Sequence, residues 1–246
     1  PLRRQRQMCI RDRLADREAE EAAAQAAEAE AAEPELDEYG IAIEDNDQQA
    51  TPAQDAAEAN VSAPTEPCTA RVLEVGCGTG CISLSLAWER RGHVTCTATD
   101  IEPRAIDLAT KNRDALGLAS DEVAFSLTNL VSSIPHEEWG TFDVLVSNPP
   151  YIPSAVIEEL EPEVRDHEPR GALDGTADGL YFYRILAEEC GKHLTPGGHV
   201  YFEIGYDQGA AVKELLDAHG FQDTKVIKDL PGKDRVVCGT WQAAGV

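Results

Sequence analysis

The stretch VLEVGCGTG at 72–80 constrains this chain more than any other. A short apolar run, RVLEV at 71–75, reads as a buried strand, and an apolar-periodic segment from Cys81 to Trp88 reads as a helix. Between them stand Gly76, Gly78 and Gly80. Glycine lets a chain turn sharply out of a strand and lets a ligand come close to the backbone. The same strand-then-helix rhythm continues downstream. Further strands are predicted at 94–100, 122–127, 142–147 and 197–204, and helices at 102–117, 179–194 and 209–220. Two last strands, 223–228 and 235–240, are joined by DLPGKD with no helix between them. Alternation at this spacing requires parallel pairing with right-handed crossovers. The expected fold is therefore α/β, a Rossmann-like, mostly parallel seven-stranded sheet with an antiparallel last strand.

The chain is not uniform along its 246 residues. Residues 1–67 are expected to be a low-complexity acidic segment, a solvated Ala/Glu helix followed by a disordered linker. Within it, residues 1–13 resemble translated adapter sequence and are set aside as a non-native start. Residues 68–246 are expected to form the folded domain. Residues 1–65 carry 6 Lys+Arg against 16 Asp+Glu; the remainder carries 15 against 29, for a total of −24. Such acidity argues against broad affinity for nucleic-acid phosphates or anionic membranes. No apolar run is long enough for a transmembrane helix. The seven cysteines form no CxxC pair and no zinc pattern, so reduced thiols in a cytoplasm, and no metal, are expected.

The chemistry begins at the glycine turn. Asp100 ends the second strand, 20 residues past Gly80. A carboxylate there can accept hydrogen bonds from both hydroxyls of a ribose, so turn and acid together suggest a nucleoside site. A nicotinamide dinucleotide is one candidate. Two details favour S-adenosylmethionine: the spacing is G-x-G-x-G, and Glu74 precedes the turn. A carboxylate repels a pyrophosphate but suits an ammonium group. Asn129 and Leu130, after the third strand, are candidates to meet the purine, Asn129 at its exocyclic amine and Leu130 on its face; an ordinary loop is the alternative.

At the end of the fourth strand stands SNPPYI. Pro149 and Pro150 have no backbone N–H, so the turn is stiff and rich in free acceptors. Asn148 adds a side-chain carbonyl. Such a cluster suits an acceptor nitrogen bearing two hydrogens, one taken by Asn148 and one by the Pro149 carbonyl. An amide or aryl amine nitrogen is a poor nucleophile, and holding it in line about 3 Å from a methyl group supplies much of the rate. The two acceptors also stabilise positive charge growing on nitrogen. Tyr151 would pack against the planar group.

VLEVGCGTG, SNPPYIP, PEVRDHEPRGALDG, DGLYFYRIL and GKDRVV together resemble the HemK/PrmC family, over about residues 70–241. These are glutamine methyltransferases acting on the Gly-Gly-Gln loop of peptide chain release factors. The resemblance implies a class I methyltransferase fold with S-adenosylmethionine as donor. It implies cofactor contacts at Gly76, Cys77, Gly78, Thr79 and Gly80, at Asp100 and Ile101, and at Leu130. Asn148, Pro149, Pro150 and Tyr151 match its substrate motif, and Glu168, Pro169 and Asp174 a loop beside it. The implied activity is transfer of a methyl group to the glutamine side-chain amide nitrogen, in the cytoplasm, with release factors as partners in translation termination.

The sequence departs from the family in two places. Asn129 replaces the usual Asp, and the segment before residue 70 lacks the family's N-terminal helical domain, as expected of a truncated reading of a longer gene. Alternatives are a ribosomal-protein glutamine methyltransferase, an adenine-amine nucleic-acid methyltransferase, a cofactor-binding fragment without activity and, more remotely, a dehydrogenase. His167 reads as packing or surface, and Glu203 as either a pocket carboxylate or a strand end.

Overall fold

The computed structural model describes residues 69–242. The expectations for residues 1–67 lie outside the described residues. Seven strands form one sheet: β1 (Ala70–Val75), β2 (Val94–Asp100), β3 (Val123–Leu127), β4 (Phe142–Ser147), β5 (Leu194–Glu203), β6 (Phe221–Lys228) and β7 (Asp234–Trp241). The helices are α1 (Cys81–Glu89), α2 (Pro103–Ala115), the short α3 (Pro162–Arg165), α4 (Tyr181–His193) and α5 (Gly209–Ala218).

The strand order is β3-β2-β1-β4-β5-β7-β6. β1 pairs parallel with both β2 and β4, β2 with β3, and β4 with β5; β7 runs antiparallel to β5 and β6. The seven strands and the antiparallel last one agree with the sequence reading. β1 is the central element. Val72, Leu73, Glu74 and Val75 are all buried, because a parallel sheet is covered on both faces and its strands lose the polar alternation of half-exposed ones. Helices α1 and α2 lie against β1, β2 and β3, and α4 and α5 against β5, β6 and β7. The main core joins Leu73 and Val75 to Leu145, Phe202 and Val237 in the sheet, and to Tyr183 and Leu186 of α4 and Val212 and Leu216 of α5. Tyr183 is fully buried yet satisfied, its hydroxyl donating to the Glu203 carbonyl at 2.7 Å.

Helix ends follow local chemistry. Pro103 opens α2, where a missing N–H costs nothing, and the Glu102 carboxylate accepts the Arg104 N–H at 3.3 Å. The sequence predicts residue 194 in the helix at 179–194; instead α4 stops at His193 and β5 starts at Leu194, three residues before the predicted strand. Leu194 pairs with Phe142, and a register shift between Phe142 and Val144 absorbs the irregular TPGG stretch. Proline cannot donate to a ladder, so the strand pairs on either side of it.

Candidate active site

Strand register builds the site. Val75 lies opposite Thr99 on one side and Ser147 on the other, and Ser147 lies opposite Phe202. The next residue along each strand is therefore level with the others: Asp100, Gly76, Asn148 and Glu203 line the carboxyl edge. Adjacent strands are about 4.8 Å apart. Strand order also reverses between β1 and β4, so the crevice opens where ligands bind in open α/β sheets.

The glycine turn is held mainly by its neighbour β2. Gly76 and Cys77 both donate to the Thr99 carbonyl, at 2.8 and 2.9 Å. The Gly78 N–H donates to Asp100 Oδ2 at 2.7 Å, and Gly80 closes the turn on the Cys77 carbonyl at 2.9 Å. All three glycines have positive φ, 74°, 55° and 76°, which side chains rarely tolerate. They differ in surroundings. A Cβ at Gly80 would meet Phe125 Cζ at 3.0 Å, Leu84 Cδ1 at 3.1 Å and Ala109 Cβ at 3.2 Å, whereas Gly76 and Gly78 face open space. Gly80 serves packing; Gly76 and Gly78 leave open space beside the turn. Thr79 is anchored through its carbonyl, which accepts the Asn112 side-chain amide at 3.0 Å. The Cys77 side chain is buried, and burial, with Glu74 and Asp100 nearby, pushes its thiol well up, so it lines the turn as an uncharged group.

Asp100 has a second duty that the spacing did not reveal. Oδ2 takes the Gly78 N–H, and Oδ1 takes the Glu102 N–H at 2.9 Å. A carboxylate has about four lone-pair sites. Each oxygen therefore keeps one for a ligand hydroxyl while the acid fixes the turn.

Glu74 is 2% exposed. Its Oε2 accepts both the backbone N–H (2.9 Å) and the hydroxyl of Ser83 in the first turn of α1. Oε1 carries no hydrogen bond among the described residues. Burial raises its pKa from 4.5 to about 7, against the opposing Ser83 hydrogen bonds. A carboxyl poised near neutrality with one open oxygen can take up a cation by releasing its proton.

Ile101, beside Asp100, exposes 68% of its surface, and such an apolar side chain at a crevice offers a face to a planar ring. Leu130 has φ 51°, rare for a branched residue, and is half-buried against the main core. Strained backbone held by its surroundings clusters at functional sites. Asn129 is exposed; its carbonyl is taken by Ser132, and its side chain makes no hydrogen bond among the described residues.

The turn at 148–151 is braced from outside. Ser147 is buried, and its hydroxyl donates to the Val75 carbonyl at 2.7 Å, tying β4 to β1 just before the turn. After the turn, Ile152 donates to the Leu173 carbonyl (2.9 Å), Gly175 to the Ile152 carbonyl (2.8 Å) and Ser154 to the Thr176 carbonyl (2.9 Å). The Ser154 hydroxyl and the Thr176 N–H converge on Asp174 Oδ1, at 2.6 and 2.9 Å, and hold that acid below the usual carboxylate range. Asn148 is half-buried, and neither its side chain nor the Pro149 carbonyl is engaged among the described residues. Two acceptors thus sit free on a stiff turn. His167 is exposed, as is Glu168, while Asp174 is brought against the turn. Glu203 is level with Asn148, its backbone carbonyl taken by Tyr183.

Residues 55–159 match the family described as the methyltransferase small domain. The chain is 42% identical over 180 residues to the release factor glutamine methyltransferase of Rhodospirillum rubrum, covering 73% of this chain and 54% of that protein. It is 40% identical over 173 residues to the enzyme of the same name from Geobacter sulfurreducens, covering 70% and 58%. Over this segment the chain is similar to release factor glutamine methyltransferases. It spans little more than half the length of these relatives. Among solved structures, a methyltransferase from Pyrococcus furiosus superimposes with a TM-score of 0.51 at 22% identity, covering 72% of this chain and 78% of that one. The hMettl16 catalytic domain superimposes at 0.54 and 18%, covering 72% and 65%. The fold is that of the class I methyltransferases.

Several contributors escaped the sequence reading: Ser83, which holds Glu74; Ser147 and Ser154; and Gln208, whose amide reaches the Tyr151 carbonyl. Ser83 had the best signal, since a hydroxyl in the first helical turn after a buried acid is a ready partner. Gln208 had none locally.

Proposed function

We propose that this domain transfers a methyl group from S-adenosylmethionine to the side-chain amide nitrogen of a glutamine, in the Gly-Gly-Gln loop of peptide chain release factors. The observation that carries this reading is the register Val75↔Ser147, which places the open glycine turn and the two free acceptors next to each other at the sheet's switch point. The residues present fit the cofactor. Gly76 and Gly78 leave room that a side chain would fill. Asp100 keeps a lone pair on each oxygen for ribose hydroxyls, and Glu74 Oε1 is open to an ammonium. When bound, the cofactor supplies an electrophilic methyl on a sulfonium.

The chain's own residues do the rest. Asn148 Oδ1 and the Pro149 carbonyl accept the two amide hydrogens, fixing the nitrogen and turning its lone pair towards the donor. Both acceptors stabilise the positive charge that develops on nitrogen. Because the turn is stiff, little reorganisation is needed, and positioning supplies much of the rate. Tyr151 packs on the amide plane. Loss of the proton follows transfer, so no strong base is required beforehand.

No described helix is long and apolar enough to cross a membrane, and a translation substrate places the reaction in the cytoplasm. The test is mass spectrometry of a release factor incubated with the full chain and S-adenosylmethionine. One added methyl on the Gly-Gly-Gln glutamine is expected. Methylation of a ribosomal protein or of adenine instead, or cofactor binding without any transfer, would overturn the assignment.

A further inference from the structure

The turn at 148–151 has an uneven support. At its start, Ser147 is locked into the sheet between β1 and β5. Its middle cannot be braced through its own amides, because Pro149 and Pro150 have none. At its far end one buried side chain takes over. Gln208, 8% exposed, lies at the N-terminus of α5, on the loop after β5. Its Oε1 accepts the Gly205 N–H at 2.9 Å. Its Nε2 donates to the Tyr151 carbonyl at 3.0 Å and to the Gly179 carbonyl at 3.2 Å. Three loops meet on one amide whose polar capacity is nearly used up. The packing leaves no slack, since a Cβ at Gly175 would lie 2.7 Å from Tyr151 Cα, and one at Gly179 would collide with the Tyr151 carbonyl oxygen and lie 2.6 Å from Gln208 Nε2.

We propose that Gln208 is a positioning residue for methyl transfer: its amide clamps the Tyr151 end of the turn and so sets where Asn148 and the Pro149 carbonyl hold the acceptor nitrogen. This rests on the acceptor reading of residues 148–151 given above. It differs from a purely structural role in what it predicts, because displacing a positioned group by about 1 Å can cost about 10²-fold in rate without weakening binding.

The test uses the full chain with Gln208→Met, which removes the clamp, and Gln208→Glu. In Gln208→Glu one carboxylate oxygen can still accept from Gly205, but the other faces two carbonyls. Both variants should lose about 30- to 100-fold in kcat, with cofactor Kd and acceptor KM within about twofold of the parent. Acidification should partly rescue Gln208→Glu relative to the parent, because a protonated carboxyl regains one donor; the Gln208→Met ratio should stay flat. A parental kcat in a folded Gln208→Met protein, or equal losses in kcat and cofactor affinity, would overturn the proposal. Amide hydrogen exchange decides the clamp independently of activity. In Gln208→Met, Ile152 and Ser154 should exchange faster while β1 is unchanged. Unchanged protection at both would sink the clamp, whereas a parent that methylates no release factor would sink only the substrate assignment.

Discussion

The two turns at the carboxyl edge are built in opposite ways. The glycine turn, residues 76–80, rests on neighbours close in sequence and on the adjacent strand: Thr99, Asp100 and its own Cys77 carbonyl. The turn at 148–151 has two prolines where amides would be and is braced by residues far along the chain: Leu173, Asp174, Thr176 and Gln208. One turn is a flexible backbone made rigid by its own hydrogen bonds, leaving room for a ligand. The other is a stiff backbone whose acceptors stay free because nothing local consumes them. The difference teaches that two turns at one sheet edge can be kept open by opposite backbone chemistry: in one the N–H groups are spent holding a glycine curve in place, in the other two prolines supply no N–H groups at all.

Asn148→Ala breaks the acceptor turn alone. It should lower kcat by about 10²- to 10³-fold, as removal of a preorganised polar group does. Cofactor affinity measured by calorimetry should stay within about twofold, and equal loss of both would join what is here separated.

Glu74→Gln sharpens the donor side through pH. Glu74 is protonated up to about pH 7 in the folded chain, against 4.5 for its ordinary value. The folded state then holds a proton that the unfolded chain has released, so stability is full below about pH 4.5 and falls as pH rises through about 7. Denaturant unfolding should show the variant gaining up to about 3 kcal/mol on the parent between about pH 4.5 and pH 8. A constant difference across that window would mean that Glu74 does not titrate there.

The glycines separate packing from binding within one turn. Gly80→Ala meets Phe125, Leu84 and Ala109 and should cost about 2 kcal/mol in thermal or denaturant unfolding. Gly78→Ala meets only the left-handed backbone cost of about 1 kcal/mol, yet should weaken cofactor binding more than Gly80→Ala does. An effect of similar size is expected for Asp100→Asn, at least about tenfold in cofactor Kd with kcat at saturation little changed, since about 1.4 kcal/mol is a typical charge-assisted hydrogen-bond difference and Asp100 also braces Gly78.

Much of this could be read from sequence where the cause is local. RVLEV, the three glycines and the apolar helix face specify a strand, turn and helix by period and by φ alone. SNPPYI announces free acceptors because proline has no N–H. The antiparallel last strand followed from the missing crossover helix. What could not be read is set by distant contact. Nothing near Gln208 says that it will meet Tyr151, 57 residues earlier. The early start of β5 depends on Leu194 finding Phe142. The burial that tunes Glu74, and the extra duty of Asp100 as a brace, exist only once β1 lies between its neighbours.

The central claim is that the β1–β4 register brings donor and acceptor halves together. A crystal structure of the full chain with S-adenosylhomocysteine and a Gly-Gly-Gln peptide tests it directly. The expected result is a nucleoside on the glycine turn with its hydroxyls on Asp100, and the glutamine amide nitrogen about 3 Å from both Asn148 Oδ1 and the Pro149 carbonyl oxygen. A glutamine bound elsewhere, or an amide that reaches neither acceptor, would contradict it.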